Sequence, residues 1–426
     1  MHDPVKTEKK VEYLELIYDL IFVFVIGRNN LLLHNIDGGF ISGGAFLAYL
    51  VSTLAVIQIW NFTTYYINVF GRNGVREHIS LFVNMFLMYF IAEGIGSEWE
   101  KLYVQYHAAW ALILLNIGIQ YLLELRNHRS KAVSAQKRRM ALPLFAEAAA
   151  VVVSIFTFTL AGADLSWLAI LIGIGVSMLA GIRSNEIKVD FAHLTERAML
   201  YVVFTFGEMI ISLSGYFDGE LSFNSLYFSV MGFLIVVSLF LSYETLYDRI
   251  VDREQSSNGL MYILIHVLLI FSLNNITVAL EFMREDEIAI MPKMLFLIGS
   301  FLMYYFCIFM LGRWAKKRCA VRKGMIITVI LSSAAFAALM LILREYMMIN
   351  ILLTVLYGFG IFIILHFLGK SAARTQFRGA EPALPISRSQ INKRKRSSPR
   401  PKNSPQKTKH KSFAQGGKLP HPCSQC

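Results

Sequence analysis

Three apolar stretches of the chain carry acids and bases at helical spacing. In LELIYDLIFVFVIG, Glu15 and Asp19 lie four residues apart and so share a helix face. In HLTERAMLYVVFTFGEMIISLSG, His193, Glu196 and Arg197 occupy one turn. Arg197 and Glu208 are 11 residues apart, about 20° of rotation on a helix, and Tyr201 lies between them on the same stripe. In HVLLIFSLNNITVALEF, His266, Asn274, Thr277 and Glu281 fall within an arc of about 80°. An ionisable group inside a membrane span costs about 2.5–3.5 kcal/mol on insertion scales, so each is a functional candidate by default. A carboxylate in such a place can pass a proton or hold a small cation. Glu208, Asp19, Glu15, His266, Asn274 and Glu281 are therefore candidates for a transport or ion path, with Glu208 first among them because Gly207 beside it permits close helix approach. His193, Glu196 and Arg197 are candidates for a gate at the cytoplasmic end.

The alternative reading is structural. Asp19 would tie its helix to a basic residue on a neighbour, and Glu208 would be a buried carboxylate paired for assembly. Arg28 is about 180° round the helix from Asp19 and is not its partner. Convergence of Asp19, Glu208 and His266 on one water-accessible cavity would favour transport; separate pairing with cations on neighbouring helices would favour assembly. Trp60, Thr64 and Asn68 share a further face, and with Tyr65 and Tyr66 they read as an aromatic anchor at the membrane surface. Gln58, Asn61, Glu147, Glu244 and Glu93 are additional polar positions within apolar stretches.

Catalytic signatures are missing. The chain has no GxxxxGK[ST] phosphate loop, HExxH helix, GxSxG elbow or GxGxxG fingerprint. An enzyme is not expected, nor is a cofactor or a metal. The His193–Glu196 spacing alone marks an interfacial histidine, and Cys423 and Cys426 form a single pair at the C-terminus. Cys307 and Cys319 complete the set of four, and no disulfide framework follows.

The elements that must position these groups follow from composition. Of 426 residues, 55% are hydrophobic and 16% charged, against about 25% charged in soluble domains. This excludes soluble, collagenous and disordered classes and predicts an all-α polytopic transmembrane helix bundle. A span needs roughly 20 apolar residues. Twelve are expected, at 13–34, 40–68, 78–97, 102–125, 141–162, 164–182, 194–215, 222–246, 259–283, 293–313, 324–343 and 346–369. Loops alternate in charge: Arg72 and Arg76, Arg126 to Arg139, Arg183 and Lys188, Arg249 and Arg253, and Arg313 to Lys323 on one side; Asp37, Glu98, Asp164, Asp218 and Glu285 to Glu287 on the other. Basic loops mark the cytoplasmic face, which places both termini in the cytoplasm of a cell-membrane protein.

The halves, 13–182 and 194–370, suggest a six-plus-six parallel internal repeat: WNFTTYYINVFGRNGVREH in one answers YETLYDRIVDREQSSNG in the other. Residues 1–12 read as a short cytoplasmic N-terminus without a cleavable signal. Residues 371–426 hold 13 Lys/Arg against the single acid Glu381, matching the +12 of the whole chain. The membrane body is thus electrically balanced, and the tail reads as a disordered segment drawn to anionic lipids, with no specific nucleic-acid role.

The opening ExxxDLxFVF of residues 12–27 resembles the low temperature requirement protein A (LtrA) family of bacterial membrane proteins. So does the H-x-x-E-R stretch leading to G-E, here His193, Glu196, Arg197, Gly207 and Glu208, with Met209 where the family has Ser. Trp60 to Phe70, WNFTTYYINVF, resembles the family's aromatic segment. The likeness covers residues 11–370 and implies a link to growth in the cold, without a defined activity or catalytic residues. The expected partners are the bilayer, anionic lipids at the tail and an unidentified small solute or ion. The functional expectations are a secondary transporter or ion-conducting protein, or else a membrane stress or lipid-adaptation factor or scaffold.

Overall fold

A computed structural model describes residues 10–95, 99–127, 131–182, 189–216, 222–255, 257, 259–319 and 323–379. The expectations for Arg183, Lys188, Asp218, the tail beyond Gly379 and the Cys423–Cys426 pair fall outside these residues. Twelve α-helices are present among the described residues: α1 (Tyr13–Asn29), α2 (Gly43–Phe70), α3 (Val75–Glu93), α4 (Trp99–Leu123), α5 (Lys131–Ala161), α6 (Ser166–Ile182), α7 (Phe191–Ser212), α8 (Phe223–Thr245), α9 (Leu260–Phe282), α10 (Ile290–Leu311), α11 (Lys323–Ile342) and α12 (Met347–Gly379). Each corresponds to one expected span. Ten are long and apolar enough to cross a membrane. The other two depart for clear reasons: the apolar run of α6 is short, Ser166–Ala180, and α7 carries Glu196, Arg197 and Glu208 within its 22 residues. This is an integral, multi-pass membrane protein. Its one small sheet is a hairpin of β1 (Ile36–Asp37) and β2 (Phe40–Ile41) between α1 and α2.

Local chemistry starts several helices. Ser42 accepts from the Ala45 amide at 3.2 Å, Asp190 from His193 at 3.2 Å and Ser222 from Ser225 at 3.0 Å, each filling the open N-terminal donors of its helix. The end of α8 widens into a π turn over Leu246–Ile250. This turn is bound to the segment after α10, where Lys316 donates its amide to the Ile250 carbonyl at 2.8 Å.

Burial orders the helices. In α9, 78% of the membrane window is inside the protein; in α11 only 17% is, so α9 is central and α11 faces lipid. Helix α1 packs on α2, α3 and α7, and α7 packs on α8 and α9. Some neighbours correspond between halves: α1 meets α3 as α7 meets α9, and α3 meets α4 as α9 meets α10. The correspondence fades at the last pair of each half, since α5 and α6 are closely joined, whereas α11 and α12 are more loosely joined, through contacts such as Phe336 stacked on Tyr357 at 4.2 Å and Ser333 bonded to the Tyr357 hydroxyl at 2.8 Å.

At the end of the bundle bearing the basic loops, charge joins four helices. Arg76 of α3 binds Glu124 beyond α4 and donates to Tyr66 of α2 at 2.9 Å. Lys137 of α5 donates to the Glu124 carbonyl at 2.6 Å and lies 5.0 Å from the Phe70 ring. Tyr66 is therefore an internal bond acceptor, not a surface anchor. At the opposite end, the Ala289 amide donates to Gly39 of the hairpin at 2.8 Å.

Gly259, just before α9, has φ +69° and meets the Leu194 side chain where a Cβ would stand. Replacing it with Ala combines a left-handed backbone, worth about 1–2 kcal/mol, with a clash. Gly259→Ala should lower the thermal unfolding midpoint in detergent, while Gly299→Ala, at an open position on α10, should leave it unchanged or raise it. Equal behaviour of the two variants would contradict this account of the α9 start.

Candidate functional site

Three of the four segments singled out by sequence, those on α1, α2 and α7, come together in one buried cluster; the α9 stripe does not join it. Arg197 is its centre. Its Nη1 donates to Glu15 Oε2 at 2.9 Å, its Nε to Asp19 Oδ2 at 3.2 Å, and its Nη2 to Asp19 Oδ1. Asp19 Oδ1 also accepts from the Trp60 indole at 2.8 Å, and the guanidinium sits 5.9 Å from the Trp60 ring. Asp19, Arg197, Trp60 and Tyr201 have no solvent exposure. Trp60 is thus a hydrogen-bond donor deep in the protein, where an aromatic anchor at the membrane surface was expected.

The same face of α2 fixes His193. Asn68 accepts the Asp190 amide on Oδ1 at 3.0 Å, which leaves its Nδ2 to donate to the Asp190 carbonyl at 2.8 Å and to His193 Nδ1 at 3.1 Å. The Nδ1 side of His193 is thus held by α2, and its Nε2 faces Glu15 Oε2 at 3.5 Å. The cluster then holds two carboxylates, one guanidinium and an imidazole. A crevice of about 160 Å³ at the basic end, bordered by Glu12, Glu15, Arg72 and Glu77, reaches Glu15.

Glu208 lies in the last turn of α7, half-buried, and has no hydrogen bond or ion pair among the described residues. It rests on Gly27 of α1, where a Cβ would run into its carboxylate. Glu281 at the end of α9 binds His34 at 3.1 Å, and His34 also approaches Glu285 at 3.8 Å. Glu93 and Glu244 are exposed, and Glu196 is partly so.

His266 is elsewhere. Its Nδ1 donates to the Tyr262 carbonyl at 2.8 Å, and its Nε2 shares a hydrogen bond with the Tyr243 hydroxyl at 3.0 Å. Asn274 and Thr277 bond back to their own helix, to Ile270 and Leu273, both at 3.0 Å. Glu147 is fully buried with two neutral donors, Gln58 at 2.5 Å and Trp110 at 3.2 Å. Asp19, Glu208 and His266 therefore have separate surroundings and do not meet in one cavity. Sequence reasoning missed the Asn68–His193 bond, the Gly27–Glu208 contact and the Glu281–His34 pair, because each joins residues distant in the chain. The only advance signal was the shared face of Trp60, Thr64 and Asn68. Among the described residues no group of three His, Cys, Asp or Glu side chains is placed to hold a metal ion.

Comparison with known families matches residues 10–360 to the family described as bacterial low temperature requirement A protein, LtrA. The chain belongs to the LtrA family. No curated protein and no solved structure matches it significantly. The three segments that carry the LtrA resemblance, on α1, α2 and α7, are those that build the Arg197 cluster, so in this LtrA protein the recognisable residues are also mutual contacts.

Removing the cation from this cluster takes away the counter-ion of the fully buried Asp19, a loss of about 3–5 kcal/mol. Arg197→Met should cut folded yield and thermal stability more than Asp19→Asn or Glu15→Gln. Neutralising all three residues together should recover most of the loss, as read by unfolding in detergent. A triple variant no better than Arg197→Met would show that the charges do not act as a unit.

Proposed function

We propose that this LtrA protein is a secondary transporter whose coupling ion, a proton or a small cation, is handled by the Glu15–Asp19–Arg197 cluster. The observation that carries the reading is the placement of two buried carboxylates, Glu15 and Asp19, on one guanidinium beside a crevice that reaches Glu15. A carboxylate taken out of water stays ionised only with such close partners. A proton or a small cation bound at either acid would compete with that pairing. The crevice at Glu15 supplies a route from the basic end. Glu208, about 16 Å further along α7 by helical rise and without a partner among the described residues, is a second station toward the opposite end. The solute is unidentified, the work is transport and not catalysis, and the family description ties it to growth at low temperature.

The proposed orientation puts the protein in the cell membrane with the basic end and both termini in the cytoplasm. Residues 371–426 would extend there and meet anionic lipid. Reporter fusions after Arg139 and Lys323 should read cytoplasmic and a fusion near Asp218 external; a cytoplasmic signal at Asp218 overturns this topology.

A second reading, a membrane scaffold or stress factor, is favoured by the Arg197 guanidinium, each of whose three nitrogens donates to one of the two acids. One experiment separates the two. Protein is reconstituted in vesicles loaded with a pH-sensitive dye, and sodium, potassium and pooled small metabolites are added in turn. Transport predicts solute-evoked proton or cation flux that Glu15→Gln and Glu208→Gln abolish while the protein stays folded. If wild type and both variants are equally silent and Glu15→Gln melts lower, the cluster serves assembly.

A further inference from the structure

A long groove of about 650 Å³ runs between α10 and α11 at the basic end, within the range of about 300–1,000 Å³ typical of ligand pockets. Its walls are apolar: Leu302, Phe306, Phe309 and Met310 on α10, Ile326 and Ile330 on α11. It faces the bilayer, since Phe306 and Ile330 are each 60% exposed and α11 is the least buried span.

Three lining side chains are polar, and two are already engaged. The Tyr305 hydroxyl donates to the Gly358 carbonyl at 3.2 Å, and Ser333 Oγ bonds the Tyr357 hydroxyl at 2.8 Å. Both face α12 and offer nothing to a guest. The third is Arg313, at the mouth where α10 ends. It is exposed and has no acidic partner among the described residues. Lys317 and Lys323, also exposed, add positive charge on the segment that joins the two helices.

An apolar trough with one open guanidinium at its headgroup-level end has the polarity of a phospholipid. We propose that the α10–α11 groove is a binding site for an anionic phospholipid, with an acyl chain along Phe306, Phe309 and Ile330 and the headgroup phosphate on Arg313. The planar fork of arginine matches two phosphate oxygens at once, and basic pockets between spans are where anionic headgroups are held. Helix association within a membrane lacks a hydrophobic drive, so a seated chain also fills space that α11 alone leaves open against the bundle. The site is separate from the Arg197 cluster and independent of the transport reading.

The test uses the full chain, so that the basic C-terminal segment is a constant background. Delipidated protein in detergent is titrated with phosphatidylglycerol or phosphatidylcholine, and bound lipid is counted by native mass spectrometry. Wild type should hold one phosphatidylglycerol more tightly than phosphatidylcholine. Arg313→Gln should reduce that preference by about fivefold or more, the effect of one basic residue near an anionic headgroup. Ile330→Trp, which fills the groove, should weaken the single tight site for either lipid. Inorganic phosphate at equal concentration should not compete, because it lacks the chain. The proposal fails if Arg313→Gln and Ile330→Trp both bind as wild type while remaining folded. It fails equally if inorganic phosphate displaces the lipid, which would make the site a headgroup patch without a groove.

Discussion

A guanidinium buried in a membrane protein must be surrounded by acceptors or it will not stay buried. The desolvation of each ion is worth several kcal/mol and is offset only by close, well-aligned hydrogen bonds. Arg197 meets this condition with three nitrogens donating to Glu15 and Asp19, and the acids in turn draw in Trp60 and His193. Those demands set the register of α1, α2 and α7 against one another. They also reach α3, because the Tyr18 hydroxyl on α1 bonds Thr63 of α2 at 3.1 Å and accepts from Asn84 at 3.3 Å. Packing follows the same centre: Tyr201 covers the Trp60 ring at 4.6 Å and closes the cluster from above.

The remaining polar groups within the bundle are managed in other ways. His266 is held by a carbonyl on one nitrogen and a tyrosine hydroxyl on the other. Glu147 is met by neutral donors from α2 and α4. Asn274 and Thr277 turn back on their own helix. Against this background, the two acids gathered on Arg197 and the carboxylate of Glu208, which has no partner among the described residues, stand apart, and they are the features that make a transport mechanism worth testing.

Sequence was a good guide to what the membrane dictates. Helix number follows from bilayer thickness and hydropathy, so all twelve helices could be placed, ten of them long and apolar enough to cross a membrane, and family membership was legible because its residues sit in three dense segments. Helical spacing also grouped Glu15 with Asp19, and Trp60 with Asn68, on the faces they use. It could not say which helices meet. Asp19 and Arg197 are 178 residues apart in the chain, and nothing in one dimension distinguishes Arg197 as the partner of Asp19 from the other cations near the basic end. The stripe on α9 misled for the opposite reason: alignment on one face is necessary for a cavity wall, but helix back-bonding and a tyrosine satisfy the same groups without any cavity.

The Gly27 contact has a mechanical consequence. Helices α1 and α7 both start at the basic end, so they run parallel, and they touch at two levels: the Arg197 salt bridges low in the bundle and the bare backbone at Gly27 against Glu208 near the other end. Two contacts at separate heights oppose both sliding and splaying of the pair. One half of the chain supplies one member and the other half supplies the second. Motion that swings the halves apart would therefore have to break both contacts together.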